Sequence, residues 1–345
     1  MINKELALRS LPPLKTREEM LDILLLEEYG YLPPKPTDLT FTFLDSPSPN
    51  FCAGKATLDK IILSGKVGGR AFSFPFYASI PTMGNNHPFF IHINFRDSVP
   101  DRYMPTEELI DNGFAVLSFC HNDVTKDNSD FTDGLAGVLY PDGKRGKNDA
   151  GKIAMWAWAA QRVMDYAETL SDKLDISRSV VCGHSRLGKT ALLTAATDER
   201  FAFAYSNDSG CSGAAISRGK VGESVADICR VFPYWFCESY QKYAGCEASM
   251  PFDQHYLIAS IAPRPVCVGS ATEDEWADPR SEMLSCLAAS PAFEKMGKLG
   301  FLCDGRFAES DEAFLDGSIG YHLRRGTHYF SREDWHRIIE FVKSH

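Results

Sequence analysis

No apolar run in this 345-residue chain approaches the ~20 residues of a membrane-spanning helix, so no such helix is expected in it. Positive charge is also scarce. Thirty-six Lys and Arg stand against 46 Asp and Glu, for a net charge of −10, and the basic residues are dispersed along the chain. Neither a membrane nor a polyanion such as nucleic acid is therefore an expected partner. The ten cysteines form no C-x-x-C pair and no Cys/His ligand spacing, so structural zinc is not expected. The opening MINKELALRSLPPLKTREEM has no signal-peptide apolar core. That predicts a cytoplasmic chain, or an exported one whose signal has been removed, and does not favour disulfides. Repeats, low-complexity tracts and Gly/Ser/Pro linkers are missing too, which predicts one domain over 1–345.

What is present is the composition of a globular protein, 44% apolar and 24% charged. Residues 18–29 (EEMLDILLLEEY) carry apolar positions at helical spacing, closed by Gly30 and the Pro33-Pro34 pair. Residues 39–43 and 55–81 alternate with the period of strands, and 66–70 (KVGGR) reads as a hairpin turn. Residues 1–84 thus predict an N-terminal helix and antiparallel strands. From residue 85 the rhythm changes to buried strands (89–95, 114–120, 179–182, 201–205, 264–270 and 319–324). Helices are expected at 105–112, 152–170, 189–197, 281–289 and 333–344, with a polar loop over 121–149. Such alternation predicts an α/β fold, a mostly parallel sheet with helices on both faces and ligands at the carboxyl ends of the strands. Trp156 and Trp158 read as core, as do Cys120, Cys182 and Cys267. His255 and His322 read as hydrogen-bonded structural residues, and His336 and His345 as surface ones.

The stretch 179–197 (SVVCGHSRLGKTALLTAAT) is a strand, a sharp turn and a helix, and it fits two chemistries. As Gly183-x4-Gly188-Lys189-Thr190 it satisfies the phosphate-binding loop pattern. As Gly183-His184-Ser185 it is a nucleophile elbow. A phosphate loop needs small residues where His184, Arg186 and Leu187 stand, and it needs a magnesium-holding Asp that only Asp208 could be stretched to supply. An elbow needs an acid and then a His further along. His328 follows the last strand, and two acidic sites, Asp208 and Glu273-Asp274, end strands before it. The elbow departs from G-x-S-x-G in one respect: Leu187 holds the second Gly position, and Gly188 comes one later.

With these residues in place the chain resembles the glucuronoyl esterases, carbohydrate esterase family 15. The elbow is similar to G-C-S-R-x-G-K, and 208–215 (DSGCSGAA) is similar to the family's acid/Asn-S-G-C-G-G-A-A segment. Gly222-Glu223, FPYWFC, DQH, IAPRP, EDEWADP, GYH and GTH follow in family order. The resemblance covers roughly 85–345. It implies an α/β-hydrolase fold and cleavage of esters on the carboxyl of (4-O-methyl-)glucuronate, which in plants joins xylan to lignin alcohols. No cofactor or metal is implied. Position by position it makes Ser185 the nucleophile, His328 the base and Arg186 an oxyanion donor. Lys189, Glu223 and Trp276 become contacts to the sugar. The family uses either of two acid positions, and this chain has a carboxylate at both. Asp274 is favoured over Asp208, which is shorter than the Glu found where that first position is catalytic. His184 stands where the family often has Cys. The rival readings are an acetyl or other carbohydrate esterase of the same fold, a phosphate-loop nucleotide binder, and an inactive sugar-binding relative.

Overall fold

The computed structural model describes residues 2–44, 48 and 50–345. Ten strands form one continuous sheet: β1 (Thr37–Phe43), β2 (Ala56–Val67), β3 (Arg70–Pro81), β4 (His87–Asn94), β5 (Ala115–Cys120), β6 (Leu174–His184), β7 (Phe203–Asn207), β8 (Val266–Ala271), β9 (Glu312–Phe314) and β10 (Ile319–Arg324). Their spatial order is β1-β2-β3-β5-β4-β6-β7-β8-β10-β9. The first three strands and β5 pair antiparallel, and β9 closes the far edge antiparallel to β10. From β5 through β4, β6, β7 and β8 to β10 every pairing is parallel. The N-terminal strands therefore extend the parallel sheet and do not form a separate layer.

Local chemistry explains the elements. Val67 pairs with Arg70 across Gly68 and Gly69, whose φ values of 57° and 78° give the two-residue turn that matches strand twist. The parallel strands are buried on both faces, and their side chains alternate between two cores. Phe89, Ile91 and Val181 enter one core, while Phe90, Val180 and Cys182 enter the other.

The helices are α1 (Ile2–Leu8), α2 (Arg17–Leu24), α3 (Thr106–Asp111), α4 (His121–Val124), α5 (Gly134–Leu139), α6 (Lys152–Glu168), α7 (Arg186–Thr197), α8 (Val225–Val231), α9 (His255–Ala259), α10 (Pro279–Glu294) and α11 (Arg332–Ser344). Capping boxes start α2 (Thr16 with Glu19), α8 (Ser224 with Asp227) and α11 (Ser331 with Asp334). Among the described residues no helix is long and apolar enough to cross a membrane.

Several expectations need correction. The polar loop 121–149 contains α4 and α5, whose four and six residues are too short to show a helical period. The strand expected at 179–182 runs from Leu174, because its front half alternates polar and apolar where it leaves the core. Helix 281–289 extends to Glu294 and carries Pro291 inside it. Helices α1, α8 and α9 and edge strand β9 were not expected. Trp156 and Trp158 are core residues, and their indole N–H groups donate to Thr125 O and Pro34 O. Cys120, Cys182 and Cys267 are buried, and all ten cysteines are free. His255 bonds Pro12 O at 3.0 Å and His322 bonds the Tyr205 hydroxyl at 2.9 Å, as structural histidines should.

Candidate active site

Four strand ends meet on one side of the sheet. Ser185 follows β6, Asp208 follows β7, Asp274 lies just beyond β8, and His328 lies beyond β10. Ser185 has φ 58° and ψ −127°, a left-handed conformation that costs a side-chain-bearing residue roughly 1–3 kcal/mol. The surroundings hold it there: Ser185 N donates to Asn207 O at 2.8 Å, and Ser185 O accepts from Gly188 N at 2.9 Å to begin α7. A Cβ on Gly188 would come within 2.9 Å of Ser206 Oγ and 3.2 Å of Asn207 O. The displaced glycine of the elbow thus lets α7 pack against β7.

His328 Nδ1 donates to Asp274 Oδ2 at 2.6 Å, which leaves Nε2 as the basic nitrogen. Asp274 is buried, while the His328 side chain is half-exposed at the cleft. Asp208 is engaged elsewhere. Its Oδ2 is 3.2 Å from Arg324 Nη2 and accepts from Tyr329 N at 3.3 Å. Burial, with Asp334 and Glu282 nearby, raises the Asp208 carboxyl well above the ordinary range despite Arg324. Asp208, Asp274 and His328 each place one donor atom within 4.8 Å of the others, a set able to close on a cation once these bonds are given up. His184 packs its ring 4.4 Å from that of His328, and its Nδ1 donates to Asn207 Oδ1 at 2.7 Å. Burial and the neighbouring His328 hold its pKa far below the ordinary value, so it is a neutral packing group.

The eight residues singled out in the sequence all line one cleft of about 350 Å³: Ser185, Arg186, Lys189, Asp208, Glu223, Asp274, Trp276 and His328. Phe232 and Trp235 add aromatic wall. Trp276 stands 57% exposed at the rim, and its carbonyl accepts from Glu223 N at 3.0 Å.

Lys189 decides between the two readings of the turn. It is 3% exposed, and its ammonium donates to Ser209 O and to Cys211 O (2.5 Å), with Glu223 Oε2 4.0 Å away. A lysine spent on backbone carbonyls does not reach for phosphates, and the phosphate-loop reading fails. Nor is it a solvated lysine of the first helical turn. Burial lowers its pKa, although Glu223 opposes the shift.

Sequence reasoning missed the supporting residues. Arg324 donates from Nε to Asp334 (2.8 Å) and from Nη2 to Thr327 O (3.0 Å) and Tyr329 O, and so clamps the loop that carries His328. Glu282 of α10 accepts from Gly210 N at 2.8 Å and Ser270 Oγ at 2.5 Å, tying the 208–213 loop to β8. Asp127, one of several acidic residues in the loop after α4, accepts from Arg186 Nη1. Nothing in the local sequence marks any of the three.

A family model described as fungal glucuronyl esterase matches residues 63–297. A carbohydrate esterase designated MZ0003, from an unknown prokaryotic organism, is 41% identical over 241 residues, 69% of this chain and 55% of its own length. A 4-O-methyl-glucuronoyl methylesterase of Podospora anserina is 27% identical over 271 residues, covering 75% of this chain and 51% of that protein. The chain therefore spans about half the length of the curated relatives it matches. Among solved structures, a glucuronoyl esterase from Solibacter usitatus superposes with a TM-score of 0.86 at 30% identity, over 96% of this chain and 92% of that one.

Proposed function

The chain belongs to the glucuronoyl esterase family, and from that premise we propose that it hydrolyses esters of (4-O-methyl-)glucuronic acid through a Ser185 acyl-enzyme. The observation that carries the reading is the Ser185 elbow sharing one cleft with the His328–Asp274 pair. Ser185 Oγ attacks the uronate carbonyl carbon while its proton passes to His328 Nε2. The imidazolium that forms is stabilised by Asp274. Negative charge gathers on the former carbonyl oxygen, where the Arg186 guanidinium and the backbone N–H of Arg186, the first of α7, offer donors. Collapse expels the alcohol with the proton from His328. Water then attacks the acyl carbon, giving its proton to His328 as general base, and Ser185 leaves with that proton restored.

The sugar has its own contacts. Trp276 supplies an exposed face beside the acyl site, and Glu223 supplies a carboxylate for hydroxyls, its position fixed by Lys189. The test compares turnover of benzyl glucuronate with that of an aryl acetate, before and after Ser185→Ala. Preference for the glucuronate, abolished by the substitution, is expected. Preference for the acetate would replace this substrate with an acetylated sugar, and no turnover of either ester would leave an inactive sugar-binding relative.

A further inference from the structure

Asp127 is a carboxylate that the steps above do not use; its side chain is only 11% exposed, and it sits against the Arg186 guanidinium. Its Oδ2 accepts from Arg186 Nη1, and its Oδ1 accepts from Trp235 Nε1 at 2.6 Å. Its backbone N–H donates to Asn122 Oδ1 at 2.8 Å, and its carbonyl accepts from the Tyr234 hydroxyl at 3.2 Å. His121 Nε2 lies 3.6 Å from Oδ2. Burial alone would raise this carboxyl, but the His121 contact, the Arg186 charge and the Trp235 indole outweigh it and hold it at about 2. Asp127 is therefore anionic under all working conditions.

The loop is itself anchored. Lys152 of α6, fully buried, donates to Thr125 Oγ1 and Asp130 O at 2.7 Å each and lies 3.4 Å from Asp133 Oδ1.

Among the described residues Asp127 alone bonds the Arg186 guanidinium, on one edge. Rings of Trp235, Phe95 and Phe232 surround it at 4.7, 5.5 and 5.6 Å. Its Nε is buried and has no hydrogen-bond partner among the described residues. A planar cation fixed by one carboxylate, with other donors uncommitted, needs no reorganisation when charge develops beside it.

The ester is neutral at its carboxyl, whereas the product uronate is an anion. An unpaired arginine would hold that product as firmly as the oxyanion, and such binding does not raise turnover. Here Asp127 offsets Arg186, Glu223 faces Lys189, and Asp274 shares the cleft.

Resting on the esterase reading above, we propose that Asp127 is a positioning residue for Arg186. It sets the guanidinium for the oxyanion and cancels enough of its charge for the uronate product to leave.

Asp127→Asn keeps the size of the side chain and removes its charge. Turnover of benzyl glucuronate should fall by about 10- to 100-fold, the scale of a misplaced oxyanion donor. Inhibition by free glucuronate should tighten by about tenfold, as expected when one of two charges a few ångströms apart is lost. A loosened fold would not strengthen product binding. In an Arg186→Ala background the same substitution should change neither quantity further. Asp127→Glu keeps the charge but displaces the guanidinium, so turnover should fall while product inhibition stays as in the unmodified protein. The proposal is overturned if Asp127→Asn leaves product inhibition unchanged or weaker, or if its loss of turnover is the same without Arg186. If the Asn variant does not fold, tightened product inhibition in the Glu variant overturns it alone. Turnover surviving Ser185→Ala would instead sink the esterase reading, so the two failures are separable.

Discussion

His328 Nδ1 lies 2.6 Å from Asp274 Oδ2, although 54 residues separate the two in the chain. The pair forms because β8 and β10 are parallel neighbours, so loops leaving their carboxyl ends meet. Asp208, at the end of β7, is drawn instead to Arg324.

From this pairing, Asp274→Asn should lower turnover of a glucuronate ester by about three to four orders of magnitude, because an amide no longer fixes the tautomer of the base or stabilises its cation. Asp208→Asn should cost at least tenfold less. Steady-state kinetics on the two variants decide the matter, and a larger loss for Asp208→Asn would transfer the role of acid to that residue.

The elbow carries a stability prediction. Gly188→Ala introduces a methyl 2.9 Å from Ser206 Oγ, 3.1 Å from Ser209 Cβ and 3.2 Å from Asn207 O. Moving α7 off β7 to relieve these contacts should cost about 1–3 kcal/mol, measured by urea unfolding. An unchanged midpoint would mean that the close approach is not needed.

Glu28 is fully buried, and its carboxylate oxygens accept from Gln254 Nε2 at 3.0 and 3.2 Å. Burial pushes its pKa from 4.5 to about 8, against the hydrogen bonds from Gln254 and Ser212. The folded form therefore keeps a proton that the unfolded chain has already released. Its contribution to stability is fully present below pH 4.5 and is lost as pH rises through about 8. The stability difference between the unmodified protein and Glu28→Gln should decline across that window, by up to about 1.4 kcal/mol per pH unit. A difference that stays constant with pH would show that Glu28 titrates as an exposed carboxylate does.

What the residues alone determined is considerable. Apolar runs separated by helical periods specified a parallel sheet, since strands buried on both faces must be apolar throughout. The order of Ser185, an acid and His328 matched an elbow because successive strand ends of the α/β-hydrolase topology present the three groups in that order. Only the tertiary structure told Asp274, bonded to His328, from Asp208, bonded to Arg324, since both end strands beside Ser185 and differ in what faces them. Lys189 was ambiguous for the same reason. Its type and spacing suit a phosphate cradle, a sugar contact or a solvated face, and only the carbonyls of Ser209 and Cys211 show where its charge is spent. Asp127 and Arg324 were invisible beforehand. A side chain that acts by holding another has no motif of its own, because its partner is set by how distant loops pack.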